Sequence, residues 1–149
     1  MTLRNSILVI EIGKAFSSKL GQGLREKGLS SIRIEKSDGF VPLLDSRDLI
    51  RALVFIDDTR GIFEECYMNL KILKAMSRDM PLIFCTAANS PLKEIRVRAL
   101  GLFYYHTEDM GLDLLLAAID CAVRKSVVDN IFLSRSHHEI RSRQIGCSC

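Results

Sequence analysis

The sequence predicts an α/β domain, doubly wound around a five-stranded parallel sheet. Three observations carry that expectation. Short continuous apolar runs recur at residues 7–10 (ILVI), 53–56 (LVFI) and 82–85 (LIFC), as in strands buried on both faces. Between and after them lie segments whose apolar residues return every three or four positions, which marks one face of a helix. The two patterns alternate along the chain, and alternation implies right-handed crossovers with helices on both sides of the sheet.

Taken in order, residues 7–10 form the first strand. After Gly13, the residues Phe16, Leu20 and Leu24 predict a helix that ends near Gly28. Gly21 and Gly23 weaken it, since a helical glycine costs about 1 kcal/mol against alanine. Ile32 and Ile34 alternate with polar residues, as in a strand near a sheet edge. A short helix is expected over 46–51, with Ser46 as its cap. Residues 53–56 form the next strand and stop abruptly at Asp57-Asp58.

Phe63, Cys66, Tyr67, Leu70, Leu73 and Met76 then mark a helical stripe. Pro81 opens the strand at 82–85. Ser90-Pro91 supplies a cap and a proline at the first helical position, and Leu92, Ile95, Ala99 and Leu100 carry that helix to Gly101. Residues 102–105 read as the last strand. A final helix begins near Gly111 with Leu115, Leu116, Ile119, Ala122 and Val123. Val127, Val128, Ile131, Phe132 and Leu133 extend it past the domain body. The chain therefore divides into a domain over 5–126 and, over 127–149, an extended last helix with a basic flexible tail.

Composition narrows the function classes. With 149 residues and 48% hydrophobic content there is material for one core. A net charge of +3 argues against a dedicated nucleic-acid binder, which shows a dense basic face. No apolar run approaches the roughly 18 residues of a membrane span, and the apolar stretch before Glu11 is short for a secretory signal. A cytoplasmic location is expected. Five cysteines at irregular spacing do not make a disulfide framework, and Cys66, Cys85 and Cys121 read as small, reduced, buried hydrophobes. Cys147-Ser148-Cys149 resembles a prenylation ending but reads as part of the tail.

The strand ends hold the chemistry. In an open parallel sheet the site lies at the carboxyl ends of the strands, where strand order reverses. There is no G-x-G-x-x-G, no P-loop and no G-x-S-x-G elbow, so nucleotide binding and serine hydrolysis lack their signatures. What remains is Glu11 at the end of the first strand and Asp57 at the end of the third, neighbours in a 2-1-3-4-5 sheet. Two such acids can share a Mg²⁺, which retains several waters. An Asp carboxylate can also attack phosphorus to give an acyl phosphate, and Thr86 could then hydrogen-bond a phosphate oxygen.

At this point ILVIE (7–11), ALVFIDD (52–58), PLIFCTA (81–87) and ALGLFYYHT (99–107), in this order and spacing, resemble response regulator receiver domains over about residues 6–125. The resemblance implies a flavodoxin-like strand order 2-1-3-4-5. It places Asp57 on the phosphoacceptor, Glu11 on the first acid of the metal-binding pair, Thr86 on the conserved hydroxyl and Tyr104 on the aromatic switch. Glu11 and Asp57 would then be weak Mg²⁺ ligands.

Two departures matter. Receivers usually carry a second acid where this chain has Ile12, and a lysine followed by proline where it has Thr107-Glu108. The loop after Asp57 reads DTRG, where Met-Pro is common. The threonine removes a cation and the glutamate adds negative charge, so a phosphoryl group would depend on a weakened metal. Asp58 and Lys14 are possible substitutes for the missing ligand and the missing cation.

The expectation is a degenerate receiver, or pseudo-receiver: a non-catalytic signalling module that binds a protein partner, with impaired or absent aspartyl phosphorylation. The alternative is a phosphorylatable two-component receiver using Asp57 and Mg²⁺. Partners implied are a histidine kinase or an output domain, through the stretch 92–123, and a second copy of the chain through the last helix.

Overall fold

β1 (Ser6–Glu11), β2 (Ser30–Ile34), β3 (Ile50–Ile56), β4 (Leu82–Thr86) and β5 (Tyr104–Thr107) pair in one sheet in the order β2-β1-β3-β4-β5. Every pairing is parallel. The computed structural model describes residues 6–11, 17–34, 50–57 and 62–135, without the side chains of Glu11, 17–18 and 127–135. Within these, the helices are α1 (Ser17–Glu26), α2 (Phe63–Met76), α3 (Pro91–Arg98) and α4 (Leu112–Arg135). A single 3₁₀ turn, Glu108–Met110, joins β5 to α4.

Successive strand residues point to opposite faces, so the apolar runs feed two cores. Ile7, Val9, Val54, Ile56 and Ile83 pack against Leu20 and Leu24 of α1 and Leu115 and Ile119 of α4. Leu8, Ile10, Phe55, Leu82 and Phe84 face the other way, against Leu70 and Leu73 of α2 and Val97 of α3. Each of these side chains contributes about 1.5–3 kcal/mol when fully buried. At Gly23 α1 packs tightly against α4: a Cβ added there would stand 2.6 Å from Leu116 Cδ1.

The strand order and the doubly wound architecture are as expected. Four details differ. The helix expected over 46–51 does not extend to Ile50 and Arg51, which belong to β3 because Ile50 pairs with Ser6; residues 46–49 lie outside the described residues. The last strand begins at Tyr104 rather than 102. Gly101, at φ +86°, turns the chain after α3, and Phe103 N–H bonds to Leu82 C=O at 2.9 Å before the ladder starts.

Third, the helix that opens at Pro91 stops at Arg98, and Val97 is its buried residue; Leu92 and Ile95 face solvent at 66% and 68% exposure. Fourth, Cys66 and Cys85 are free and buried as expected, but Cys121, also buried, is disulfide-bonded. The final helix continues to Arg135. No helix among the described residues is long and apolar enough to cross a membrane.

Candidate functional site

Asp57 stands one residue beyond β3, and its backbone N–H bonds to Cys85 C=O of β4 at 2.8 Å. This bond fixes the carboxylate at the mouth of the sheet between two central strands, where it is 2% exposed. Thr86 ends β4 beside it. Its hydroxyl donates to Asp57 Oδ2 at 3.0 Å and accepts from Ala88 N–H at 3.2 Å. The two residues that the sequence nominated as phosphoacceptor and phosphate contact are thus in direct hydrogen-bond contact.

The sequence reading missed a third member. Lys93 Nζ lies 2.7 Å from Asp57 Oδ2, 2.7 Å from Ala88 C=O and 3.4 Å from Thr86 Oγ1, with a side chain only 12% exposed. Local sequence explains its direction. The Ser90 side chain caps α3 by accepting from Lys93 N–H at 3.2 Å, and Pro91 holds the first helical position. Helical side chains lean toward the N-terminus, so a lysine in this first turn reaches back over the loop to the end of β3. Its ammonium also lies 5.6 Å from the Phe63 ring centroid, at the start of α2. The cation that Thr107 removes from the end of β5, for which Lys14 was a possible substitute, is supplied here from α3. A lysine at a helix N-terminus, against the helix dipole, is the signal that could have found it.

The end of β5 lies beside this cluster, with Thr107 in register with Thr86. Tyr105 is 1% exposed, packs 5.3 Å from Phe84 and donates its hydroxyl to Asn89 Oδ1 at 2.6 Å. Burial pushes its phenol up to about 12, with Glu94 and Asp57 adding to the effect. Tyr104 points to the other face. Its hydroxyl is 3.6 Å from Met110 Sδ and its ring 5.8 Å from that of His106. The structure thus brings Tyr105, not Tyr104, up to the loop that follows Thr86.

Ile12, Lys14 and Asp58 lie outside the described residues. Glu11 is in register with Ile56, so its backbone neighbours the Asp57 position. Among the described residues there is no group of three or more His, Cys, Asp or Glu able to hold a metal. Asp57 fits as one ligand of a hard cation, but a single described carboxylate already bonded to an ammonium does not define a metal centre.

No protein-family model and no curated protein matches the sequence. Solved structures do match. The chain overlays a receiver domain protein from Methanospirillum hungatei with a TM-score of 0.70, 14% identity, and coverage of 84% of this chain and 98% of that one. The fold is that of response regulator receiver domains. The same receiver fold is seen in HP1043, an orphan response regulator of H. pylori, at TM-score 0.67, 15% identity, and 83% and 99% coverage. An atypical orphan response regulator, described by its structure as having a phosphorylation-independent regulatory mechanism, overlays at TM-score 0.64 and 17% identity, with 80% and 95% coverage. Within this receiver fold the cluster of Asp57, Thr86 and Lys93 occupies the carboxyl ends of the central strands.

Proposed function

We propose that the chain is a receiver-like signal-transduction module that recognises a protein partner, with aspartyl phosphorylation impaired or absent. The observation that carries this reading is the closed state of Asp57: buried, with its Oδ2 already taken by the Thr86 hydroxyl and the Lys93 ammonium. A carboxylate so held supports a standing ion pair. Ile12 supplies no charge for a metal, and Glu108 adds negative charge after β5. The phosphorylation-independent mechanism of the atypical orphan regulator supports the same reading. The partner surface is the exposed apolar side of α3 with the segment around the 3₁₀ turn, where Leu92, Ile95, Met110 and Leu114 are open to solvent. The last helix provides a second interface, for a homodimer. The location is cytoplasmic.

The second reading, a phosphorylatable receiver, is favoured by the cation that Lys93 brings. There Asp57 would attack the phosphorus of a phosphohistidine or small phosphodonor, forming an acyl phosphate as the donor's bond to phosphorus breaks. Mg²⁺, held weakly by Asp57 and Glu11, would neutralise phosphoryl charge. Incubation of the full chain with acetyl phosphate and Mg²⁺, followed by intact mass, separates the two. The first reading expects no adduct; an adduct that is absent from Asp57→Asn establishes the second.

A further inference from the structure

We propose that Lys93 is the standing cation of the Asp57 site, delivered from the first turn of α3, and that this ion pair positions the N-terminal end of α3. The inference rests on the reading of Asp57 as a lasting carboxylate. Its first support is that the ammonium has an acceptor for each of its three protons: the Asp57 carboxylate, the Ala88 carbonyl and the Thr86 hydroxyl. A flexible lysine holds one geometry where its acceptors are themselves fixed. Asp57 is tied by its backbone to Cys85, and Thr86 belongs to the β4 ladder.

The second support is electrostatic. A cation in the first turn opposes the helix dipole, so α3 gains nothing from Lys93 on its own account. The other charges of α3 obey the dipole, with Glu94 in the first turn and Arg96 and Arg98 in the last. Lys93 is the exception, and the carboxylate it meets accounts for it.

The third support is that α3 is held mainly by polar ties rather than by a buried apolar face. Val97 is its buried residue. Its far end is tied by Arg96, which pairs with Glu64 and stacks 4.2 Å from the Tyr67 ring centroid, and by Arg98, 5.1 Å from the Tyr105 ring centroid. Its near end has the Ser90 cap, a bond from the Asn89 amide to Glu94 Oε1 at 3.3 Å, and the Lys93 anchor to Asp57. Neutralising Asp57 removes that anchor, and the exposed side chains of Leu92 and Ile95 ride on the segment it releases. The charge on a strand-end carboxylate thus governs the placement of an exposed apolar helix face.

Amide exchange of the α3 peptide in the full chain tests this, read in Lys93→Met, Asp57→Asn, the double variant and Lys93→Arg. Each of the first two should exchange on the order of tenfold faster over α3, because breaking a buried pair strands one charge. The double variant should exchange no more than about twofold faster than the quicker single one, as coupled partners do. Lys93→Arg, which keeps the charge, should return most of the protection. Multiplying effects in the double variant, unchanged exchange in Lys93→Met, or no rescue by arginine would each overturn the proposal. If Lys93→Met does not fold, folding restored by adding Asp57→Asn supports the pair, and failure of both overturns it. A phosphoryl adduct in the acetyl phosphate experiment would remove the standing-carboxylate reading without altering this exchange pattern, so the two failures are distinguishable.

Discussion

The Thr86 hydroxyl and the Asp57 carboxylate meet at 3.0 Å in a buried contact, although 29 positions separate them in the chain. The hydroxyl donates to the acid while accepting from Ala88 N–H and from Lys93. It is therefore the hub through which the loop after β4 is joined to the end of β3. Thr86→Val keeps the shape and deletes the hub. We expect a loss of about 1.5–3 kcal/mol, the range for hydrogen bonds to charged groups. The check is urea unfolding, with the midpoint lowered at an unchanged slope.

The two glycines of α1 should respond in opposite directions. At Gly21 an added Cβ meets only Arg25 Nη1, at 3.6 Å, so Gly21→Ala should stabilise by up to about 1 kcal/mol through helix propensity. At Gly23 the same atom meets Leu116 Cδ1 at 2.6 Å in the α1–α4 packing. Gly23→Val should destabilise by about 1–3 kcal/mol. Thermal melts of the two variants, opposite in sign, check the close approach of these helices.

His106 predicts an acid-side loss of stability. Burial holds its imidazole below the ordinary value, with Asp109 opposing the shift. The unfolded chain takes up this proton near pH 6.5, and the folded chain takes it up only at lower pH. Stability is thus fully present above about 6.5 and is lost as pH falls through the window down to the folded value. The slope is at most about 1.4 kcal/mol per pH unit. Urea titrations of the parent and His106→Gln should diverge in that window, with the variant lacking this component.

Assembly through the last helix is the next expectation. The α4 backbone is helical to Arg135, and Val123, Val127 and Ile131 recur along it at four-residue steps. We expect the full chain to sediment as a dimer and a truncation after Lys125 as a monomer. Monomers in both, at concentrations well above micromolar, would leave the last helix without that role.

The fold was legible where a strand is apolar on both faces. The runs at 7–10, 53–56 and 82–85 can only be buried, and each lies inside a strand. Less was legible at the edges of that signal. Leu102 and Phe103 are apolar because they pack on the cores from the turn after α3, so pattern alone moved β5 two residues early. Leu92 and Ile95 kept a helical period while facing water, since periodicity does not say which stripe the body covers. At the site, Asp57 and Thr86 could be read because strand ends are sites by topology. Lys93 could not be found this way. Its role depends on the backward lean of a helical side chain and on a loop short enough to let it arrive.

The all-parallel ladder also dictates the order in which the chain can acquire its shape. No two neighbouring strands are joined by a hairpin, so each must wait for a crossover to close before it gains a single ladder bond. β1 is flanked by β2 and β3, and its pairing of Ile10 with Phe55 has to await synthesis of β3. Until then one full side of β1 stands open as an unpaired backbone edge. This is the slow-folding regime of non-local contacts, and it places the greatest aggregation exposure before β1 finds its second neighbour.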